Sequence, residues 1–426
     1  MDKLSPKYLK QAKAAAEQLH DVAKSLPLLR SMDWSDELRL KFLRDGKLPE
    51  PEYLTVDTSG AAQAIEAARA RLDGDHVVTQ WLERICGTLT SQVGLLQSRG
   101  TSEFVDHSTA LFGEPKQLMI DRSTRVIDLA HHMDGSLAEL DFDKLVIEGH
   151  QKFLTADQFT NALRSRLSDH FGDDAPVVKI QENLSAKALA GVTRIRVRKG
   201  AQFTERDVDQ LLQHEALVHV ATGLNGRAQN NFEILGRAHA GTTEVQEGLA
   251  VFAEIISGAM DPRRFKRLAH RVIAIDMAMK GADFKEVFEF YISRVCEREE
   301  AYENTRRIFR GGVISGGAPF TKDMVYLNGL LRVHNYMRSV VKLGRADLIR
   351  IAFTGKLDIE DLPAIAYLAN EGELTPPKYM PLWAKDLRFL VSYLAYSGFL
   401  NQVKMPGFQS YYEDALKDVP VVWDFT

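Results

Sequence analysis

Apolar residues recur with a helical period over most of the chain. From Lys7 to about Ser98, apolar residues recur every three or four positions between alanine-rich, charged faces. After Gly200 the same period resumes and continues through most of the remaining sequence. The pattern predicts a helical N-terminal region, residues 1–115, and a helical C-terminal part, residues 201–426.

The pattern changes between about residues 144 and 200. Short apolar runs at Leu145–Ile147 and Val177–Ile180 have the length of strands, and a helical stretch near Phe159 to Phe171 separates them. Thr193–Arg198 alternates strictly between polar and apolar residues, as in a half-buried strand. These segments predict a small mixed sheet and an α+β, mostly helical fold.

Composition is that of an ordinary globular protein. The 426 residues are 45% hydrophobic, and 54 Lys and Arg against 58 Asp and Glu leave a net charge of -4, which gives no bulk reason for nucleic-acid binding. Two cysteines, Cys86 and Cys296, are too few for a disulfide framework. The N-terminus lacks a secretory pattern, and no apolar run approaches the roughly 20 residues of a membrane span. We expect a soluble, cytoplasmic protein without nucleic-acid or membrane partners, and the oligomeric state stays open.

The segment Gln213–His219 carries two histidines and a glutamate in a helix that we expect to begin at Thr204. Histidines four residues apart on a helix lie on one face and can hold one metal ion. Here they are five apart, which turns the second imidazole about 140° beyond a full circle. A π-type turn restores the common face, so we predict one between His214 and His219. The alternative is two unrelated histidines on a partly buried helix.

A second helix is predicted from Thr243 to Glu254, opened by Thr243 and Gln246 in capping-box spacing. Glu247 falls in its first turn, and Glu254 shares the same face seven residues later. A carboxylate from a following helix is the third ligand that a two-histidine zinc site needs, with a fourth position left for water. The alternative is that Glu247 only complements the helix dipole.

These two motifs carry a family resemblance. The run Gln246–Ala250, preceded by His214-Glu215-x-x-x-His219, resembles the flavohaemoglobin-expression-modulating QEGLA-motif family, which is similar to the microtubule-associated tyrosine carboxypeptidases. The resemblance extends from about Phe104 to Leu331 and includes the segments Ser108–Pro115 and Phe320–Leu327.

The resemblance implies a gluzincin-like zinc metallopeptidase whose catalytic domain spans residues 116–426. It implies one Zn²⁺ ion bound by His214, His219 and Glu247, with Glu215 as the general base. The implied substrate is the C-terminus of a peptide or protein, from which one residue is removed by attack of a zinc-bound water.

Zinc lowers the pKa of a bound water to about 7, and Glu215 would take the water proton and return it to the leaving amine. The developing oxyanion needs a second donor beside the metal. Tyr326 and His334, eight residues apart on a predicted helix, are the candidates. For each of them ordinary packing is the alternative.

A carboxypeptidase must also recognise a free carboxylate. Arg310 and Lys322 flank the glycine-rich segment Gly311–Gly317, which we expect to be a flexible loop beside the cleft, and Arg332 is the reserve candidate. Basic residues next to such a loop are often simply solvated, and that alternative stays open.

We further expect the strand Thr193–Arg198 to form the edge of the cleft, to pair with an extended substrate and to favour acidic peptides through its arginines. A solvated strand face explains these arginines equally well. Two other functional classes also stay open: a zinc-binding regulatory or scaffold protein without turnover, and a helical interaction module without metal.

Overall fold

The computed structural model describes residues 4–138, 140, 153–182, 184, 187–294 and 297–400. The strand expected at Leu145–Ile147, and Cys296, lie outside these residues. Within the described ranges, no helix is both long and apolar enough to cross a bilayer. The structure is mostly helical with two small sheets.

The α-helices, numbered in chain order, are α1 Pro6–Ser25, α2 Asp36–Asp45, α3 Ser59–Arg69, α4 Val77–Gln97, α5 Phe104–Phe112, α6 Val126–Ala138, α7 Ala156–Phe171, α8 Glu205–Leu211, α9 Ala221–Arg227, α10 Ala240–Ile256, α11 Pro262–Met279, α12 Phe284–Ile292, α13 Arg298–Phe309, α14 Met324–Lys342, α15 Ala346–Ile351, α16 Leu362–Asn370, α17 Leu382–Lys385 and α18 Arg388–Leu400. A π-helix, Leu212–Val220, joins α8 to α9. The strands are β1 Phe153–Leu154, β2 Val177–Gln181, β3 Ala188–Gly191, β4 Arg194–Arg198 and β5 Phe203–Thr204.

The N-terminal helices pack onto later parts of the chain. Helix α1 begins where the Ser5 side chain accepts a hydrogen bond from the Tyr8 amide, and Pro6 occupies its first turn, where a missing N–H costs nothing. The stripe that α1 buries joins a core with α3, α4 and α16, in which Trp81 contacts Phe232. The predicted helical N-terminal region is therefore anchored to the chain that follows the sheet.

The three-stranded sheet has the order β2-β4-β3, with β2 parallel and β3 antiparallel to β4. The predicted mixed sheet and its alternation are confirmed, since Ile195 and Val197 are fully buried. The expectation that this strand pairs with an extended substrate through its main chain is wrong. Its backbone groups already pair on both sides, so β4 cannot add a substrate strand through its main chain.

Two long helices cross at close range in the centre of the molecule. Helix α10 packs against α14 where Gly248 meets Gly329, and a Cβ placed on Gly248 would lie 2.2 Å from the Gly329 carbonyl carbon. Any side chain at this point would force the helices apart. The glycine that follows Glu247 therefore fixes how closely Glu247 approaches the elements around it.

The glycine-rich segment is packed rather than loose. Gly311 has a positive φ of 81°, and a Cβ there would clash with Met32 and Phe104. Its amide donates to the Tyr53 hydroxyl at 2.7 Å, and the Gly317 amide donates to the Ala278 carbonyl at 2.8 Å. The expectation of a flexible loop is not borne out, because these contacts tie the segment to three other parts of the fold.

Candidate metal centre

The helix that carries the two histidines begins at the predicted residue and contains the predicted π-type turn. Thr204 and Asp207 form a capping box at the start of α8. The chain then widens into the π-helix, and this places the rings of His214 and His219 5.0 Å apart, centre to centre. The five-residue spacing is therefore accommodated by a local change of helical period.

Helix α10 begins earlier than predicted. Its N-cap is His239, and it starts at Ala240 instead of Thr243, so Glu247 lies about two turns inside the helix and not in its first turn. A carboxylate at this depth gains little from the helix dipole, which acts over the first turn. The alternative explanation of Glu247 as a dipole partner is thereby weakened.

His214, His219 and Glu247 converge on one point. Glu247 Oε2 lies 3.4 Å from His214 Nε2 and 3.7 Å from His219 Nε2, and the three ligand atoms are all within 4.8 Å of one another. Ligands about 2.0–2.2 Å from a tetrahedral zinc ion are separated by about 3.3–3.6 Å; the distance to His214 falls within this range and the distance to His219 is slightly longer. Among the described residues, these three form the group that can hold a metal ion.

Glu247 Oε2 is buried and has no hydrogen-bond partner within the described structure. A buried carboxylate oxygen left without a partner is costly, and a cation between it and the two imidazoles would satisfy all three groups. Burial by itself raises the pKa of Glu247, but Lys322 and the two histidines outweigh it and hold this pKa well below its ordinary value. The carboxylate is thus held in the ionised form that a metal requires.

The other nitrogen of His214 is held by a carboxylate. Glu254 Oε1 lies 2.5 Å from His214 Nδ1, and Arg264 binds Glu254 through two hydrogen bonds of 2.7 and 2.8 Å. Burial favours the neutral form of Glu254, but Arg264 and His214 outweigh it and lower the pKa of Glu254 to about 2. This arrangement directs His214 Nε2 toward Glu247, as in carboxylate–histidine–metal sites.

No function was predicted from the sequence for Glu254 or Arg264. The shared face of Glu247 and Glu254 was visible as a seven-residue spacing. Their function depends on His214 and on α11, which approach α10 only in the folded chain.

Gln246 ties the two ligand-bearing helices together. Its Oε1 accepts a hydrogen bond from Thr222 Oγ1 at 2.9 Å and one from Lys356 Nζ at 3.1 Å. Lys356 also donates to the His219 carbonyl at 3.0 Å, within the π-helix. Burial lowers the pKa of Lys356 to about 8, although the charges of Glu247 and Glu215 oppose this shift. The glutamine of the QEGLA run thus fixes the position of His219 relative to Glu247.

Glu215 is half-buried, and its carboxylate makes no hydrogen bond or ion pair with any residue that the structure describes. It is nevertheless close enough to His214, Arg264 and Lys356 to influence their pKa values. A carboxylate that is held near the ligands but has no protein partner is free to bind water.

A cationic wall surrounds Tyr326 beside the three ligands. Lys322 Nζ lies 3.7 Å from Glu247 Oε1 and 5.5 Å from the centre of the Tyr326 ring. The Arg271 guanidinium lies 4.3 Å from the same ring. Arg307 reaches the Tyr326 hydroxyl at 3.4 Å and forms two hydrogen bonds of 2.7 Å with Asp323.

The cations of this wall differ in how well they are paired. Arg307 is neutralised by Asp323, whereas Arg271 reaches Asp323 only at 3.6 Å and its buried Nε has no hydrogen-bond partner among the residues that the structure describes. The ammonium group of Lys322 likewise makes no hydrogen bond within the described chain. Burial raises the pKa of the Tyr291 hydroxyl, which also has no hydrogen-bond partner among the described residues. Arg271 was missed in the sequence because α11 carries several basic residues with no local signal to separate them.

Two other residues expected at the site lie elsewhere. Arg332 is held by Glu244 at 2.8 Å and Asp358 at 2.9 Å, with Glu360 at 3.4 Å. The His334 ring lies beside Phe252, about 12 Å along α14 from Tyr326 by helical rise. Arg332 therefore belongs to an ion-pair cluster, and His334 takes part in helix packing.

Arg310 is buried over the Phe320 ring, 5.6 Å from its centre, and its Nε has no hydrogen-bond partner in the described structure. Burial, with the nearby charge of Arg307, lowers the pKa of Arg310 to about 10. Arg310 therefore contacts the Phe320 ring and not the three candidate ligands.

A family model describes this chain over most of its length. The model of the microtubule-associated tyrosine carboxypeptidases matches residues 41–402, a range that contains both motifs and the cationic wall. No curated protein matches the chain. The family resemblance inferred from the two motifs is thereby confirmed, and the chain belongs to the microtubule-associated tyrosine carboxypeptidase family.

Proposed function

We propose that this protein is a zinc-dependent carboxypeptidase of gluzincin-like build, with His214, His219 and Glu247 as metal ligands. The observation that carries the proposal is the buried, unpartnered Oε2 of Glu247, which faces both imidazoles at distances suited to one zinc ion. Membership of a carboxypeptidase family supports the reaction class.

Zinc, when bound, supplies a Lewis acid that polarises the scissile carbonyl and makes water more acidic. Glu215 is the general base in this proposal, because it adjoins His214 in the chain and has no protein partner of its own among the described residues. It would accept the proton of the attacking water and transfer it to the leaving amine. Tyr326 stays the candidate for the second oxyanion donor.

Lys322 is our choice for the residue that binds the terminal carboxylate. In a substrate this group follows the scissile carbonyl by a single residue, about 3.5 Å away. Lys322 Nζ is 3.7 Å from the ligand Glu247 and lacks a hydrogen bond, so it combines the required position with an unused donor. Arg271 lies over the Tyr326 ring, and we propose it as a second contact through its guanidinium, whose Nε makes no hydrogen bond with any described residue.

The family's name describes a carboxypeptidase that acts on tyrosine. We propose C-terminal tyrosine as the first residue to test for this chain. The cationic wall around Tyr326 favours substrates with acidic residues next to the terminal tyrosine, since Lys322 and Arg271 have charge that the protein does not fully neutralise.

The proposal is tested with two peptides of one sequence, one ending in a free tyrosine carboxylate and the other in an amide. The wild-type protein should release tyrosine from the free acid and spare the amide. Glu215→Gln should keep its zinc, measured by elemental analysis, and lose about 10²–10⁴-fold in kcat.

Full activity of Glu215→Gln would refute the role of Glu215, and equal cleavage of both peptides would indicate an endopeptidase. Stoichiometric zinc with no cleavage across a peptide library would favour the regulatory or scaffold alternative.

A further inference from the structure

The outer face of the three-stranded sheet carries a group of positive charges. Arg194, Arg196 and Arg198 alternate along β4, and Lys179 of β2 stands opposite Arg196. Arg194 and Lys179 are exposed, and the other two are half-exposed. No carboxylate within the described ranges forms an ion pair with any of the four. We call these four residues the basic sheet face.

The basic sheet face is separate from the metal centre. The opposite face of β4 presents Ile195 and Val197, which lie in the same hydrophobic core as Ala216, Leu217 and Val220 of the π-helix. The arginines therefore point away from the helix that carries the metal ligands. A partner bound to them would not occupy the space in front of Glu247.

Strand geometry determines how a partner can bind this face. Alternate side chains of a strand repeat at about 6.6–6.8 Å, so the three arginines form a regular row. The backbone of β4 is already paired on both sides, and contact must be made through the side chains. An extended polypeptide repeats its own alternate side chains at the same interval, so carboxylates at every second position match the row.

The neighbouring residues favour a protein partner over a nucleic acid. Val177 and Leu189 flank the arginines with 55% and 42% of their surface exposed, and they offer apolar contacts to a peptide. The face presents no aromatic ring for base stacking among its described strands, and the chain as a whole has a net charge of -4.

We infer that the basic sheet face is a docking surface for an acidic, extended segment of a protein partner. The inference depends on the unpaired charges and on the register of the sheet, and it stands whether or not the metal centre has peptidase activity.

The test uses a fluorescein-labelled peptide of alternating glutamate and serine, about twelve residues long and blocked at both ends so that no terminal carboxylate can enter the metal centre. Fluorescence anisotropy should show saturable binding to the wild-type protein, and the affinity should fall as sodium chloride is raised. The triple variant Arg194→Glu, Arg196→Glu, Arg198→Glu should bind at least about tenfold more weakly, because three attractions become repulsions.

A matched control reverses three exposed cations elsewhere, Lys41→Glu, Arg44→Glu and Lys47→Glu, with the same change of net charge. It should bind the peptide within about twofold of wild type. Thermal unfolding of the sheet variant checks the fold, which should persist because Ile195 and Val197 are unchanged. Removal of metal with a chelator should leave peptide binding intact.

Three results would overturn the inference. One is a failure of the wild-type protein to bind the acidic peptide, and another is equal weakening by the sheet variant and its matched control. The third is tighter binding of a single-stranded oligonucleotide than of the peptide, because it would assign the face to nucleic acid.

Discussion

Lys322 and Arg332 are ten residues apart, and the fold uses them in opposite ways. Arg332 lies within α14 and is surrounded by Glu244, Asp358 and Glu360, so its charge is neutralised. Lys322 lies just before α14 and has Glu247 at 3.7 Å as its carboxylate neighbour, and its ammonium group makes no hydrogen bond within the described chain. A cation whose donors are already used stabilises the fold, whereas one with unused donors beside a ligand is available to a substrate.

The variant Lys322→Met tests this comparison first. This change removes the cation that binds the terminal carboxylate of the substrate. It should reduce kcat/KM for the free-acid peptide by about 30-fold or more, equivalent to about 2–5 kcal/mol for a buried charge-assisted contact. Cleavage should be measured together with zinc content, since Lys322 also lowers the pKa of Glu247.

Lys322→Arg supplies the conservative control and should retain a large part of the activity, because it keeps the positive charge. If Lys322→Met holds zinc and still prefers the free acid to the amide as strongly as wild type does, Lys322 is not the carboxylate partner.

The second change concerns the support of His214. Glu254→Gln removes the negative charge beside Nδ1 while keeping the shape of the side chain. Zinc affinity, measured by competition with a chromophoric chelator, should fall about 10–100-fold. Restoration of activity at high zinc concentration would identify the defect as metal binding. An unchanged affinity would show that Glu254 and Arg264 serve only the packing of α10 against α11.

The smallest functional effect is expected from Arg332→Met. Glu244 and Asp358 would lose their shared partner, and the free energy of unfolding should drop by about 2–3 kcal/mol, less than the roughly 3–5 kcal/mol of a fully buried pair because water reaches these side chains. The ratio of cleavage between free acid and amide should stay at the wild-type value. A collapse of that ratio would place Arg332 in substrate binding and end the distinction from Lys322.

Much of the candidate metal centre was predictable because its signals are local. The five-residue spacing of His214 and His219 required a π-type turn, and the structure contains one from Leu212 to Val220. The strict alternation around Ile195 and Val197 predicted a half-buried strand, which is also present. In both cases the relevant geometry lies within a few residues of chain.

The errors concern relations between distant segments. Alternation along β4 indicates which side chains face the core but not which strands lie on either side, so its central position could not be read from the sequence. The early start of α10 depends on His239 and Thr242, a cap that does not follow the usual residue preferences. Likewise, the carboxylates that neutralise Arg332 come from α10 and from residues 358–360, far away in sequence.

The central claim is that His214, His219 and Glu247 hold one zinc ion, and anomalous diffraction at the zinc absorption edge from crystals of the zinc-loaded protein tests it most directly. We expect a single strong peak about 2.0–2.2 Å from His214 Nε2, His219 Nε2 and a Glu247 carboxylate oxygen, with Glu215 nearby but not coordinated. A zinc peak bound at another place, with these three side chains left uncoordinated, would contradict it.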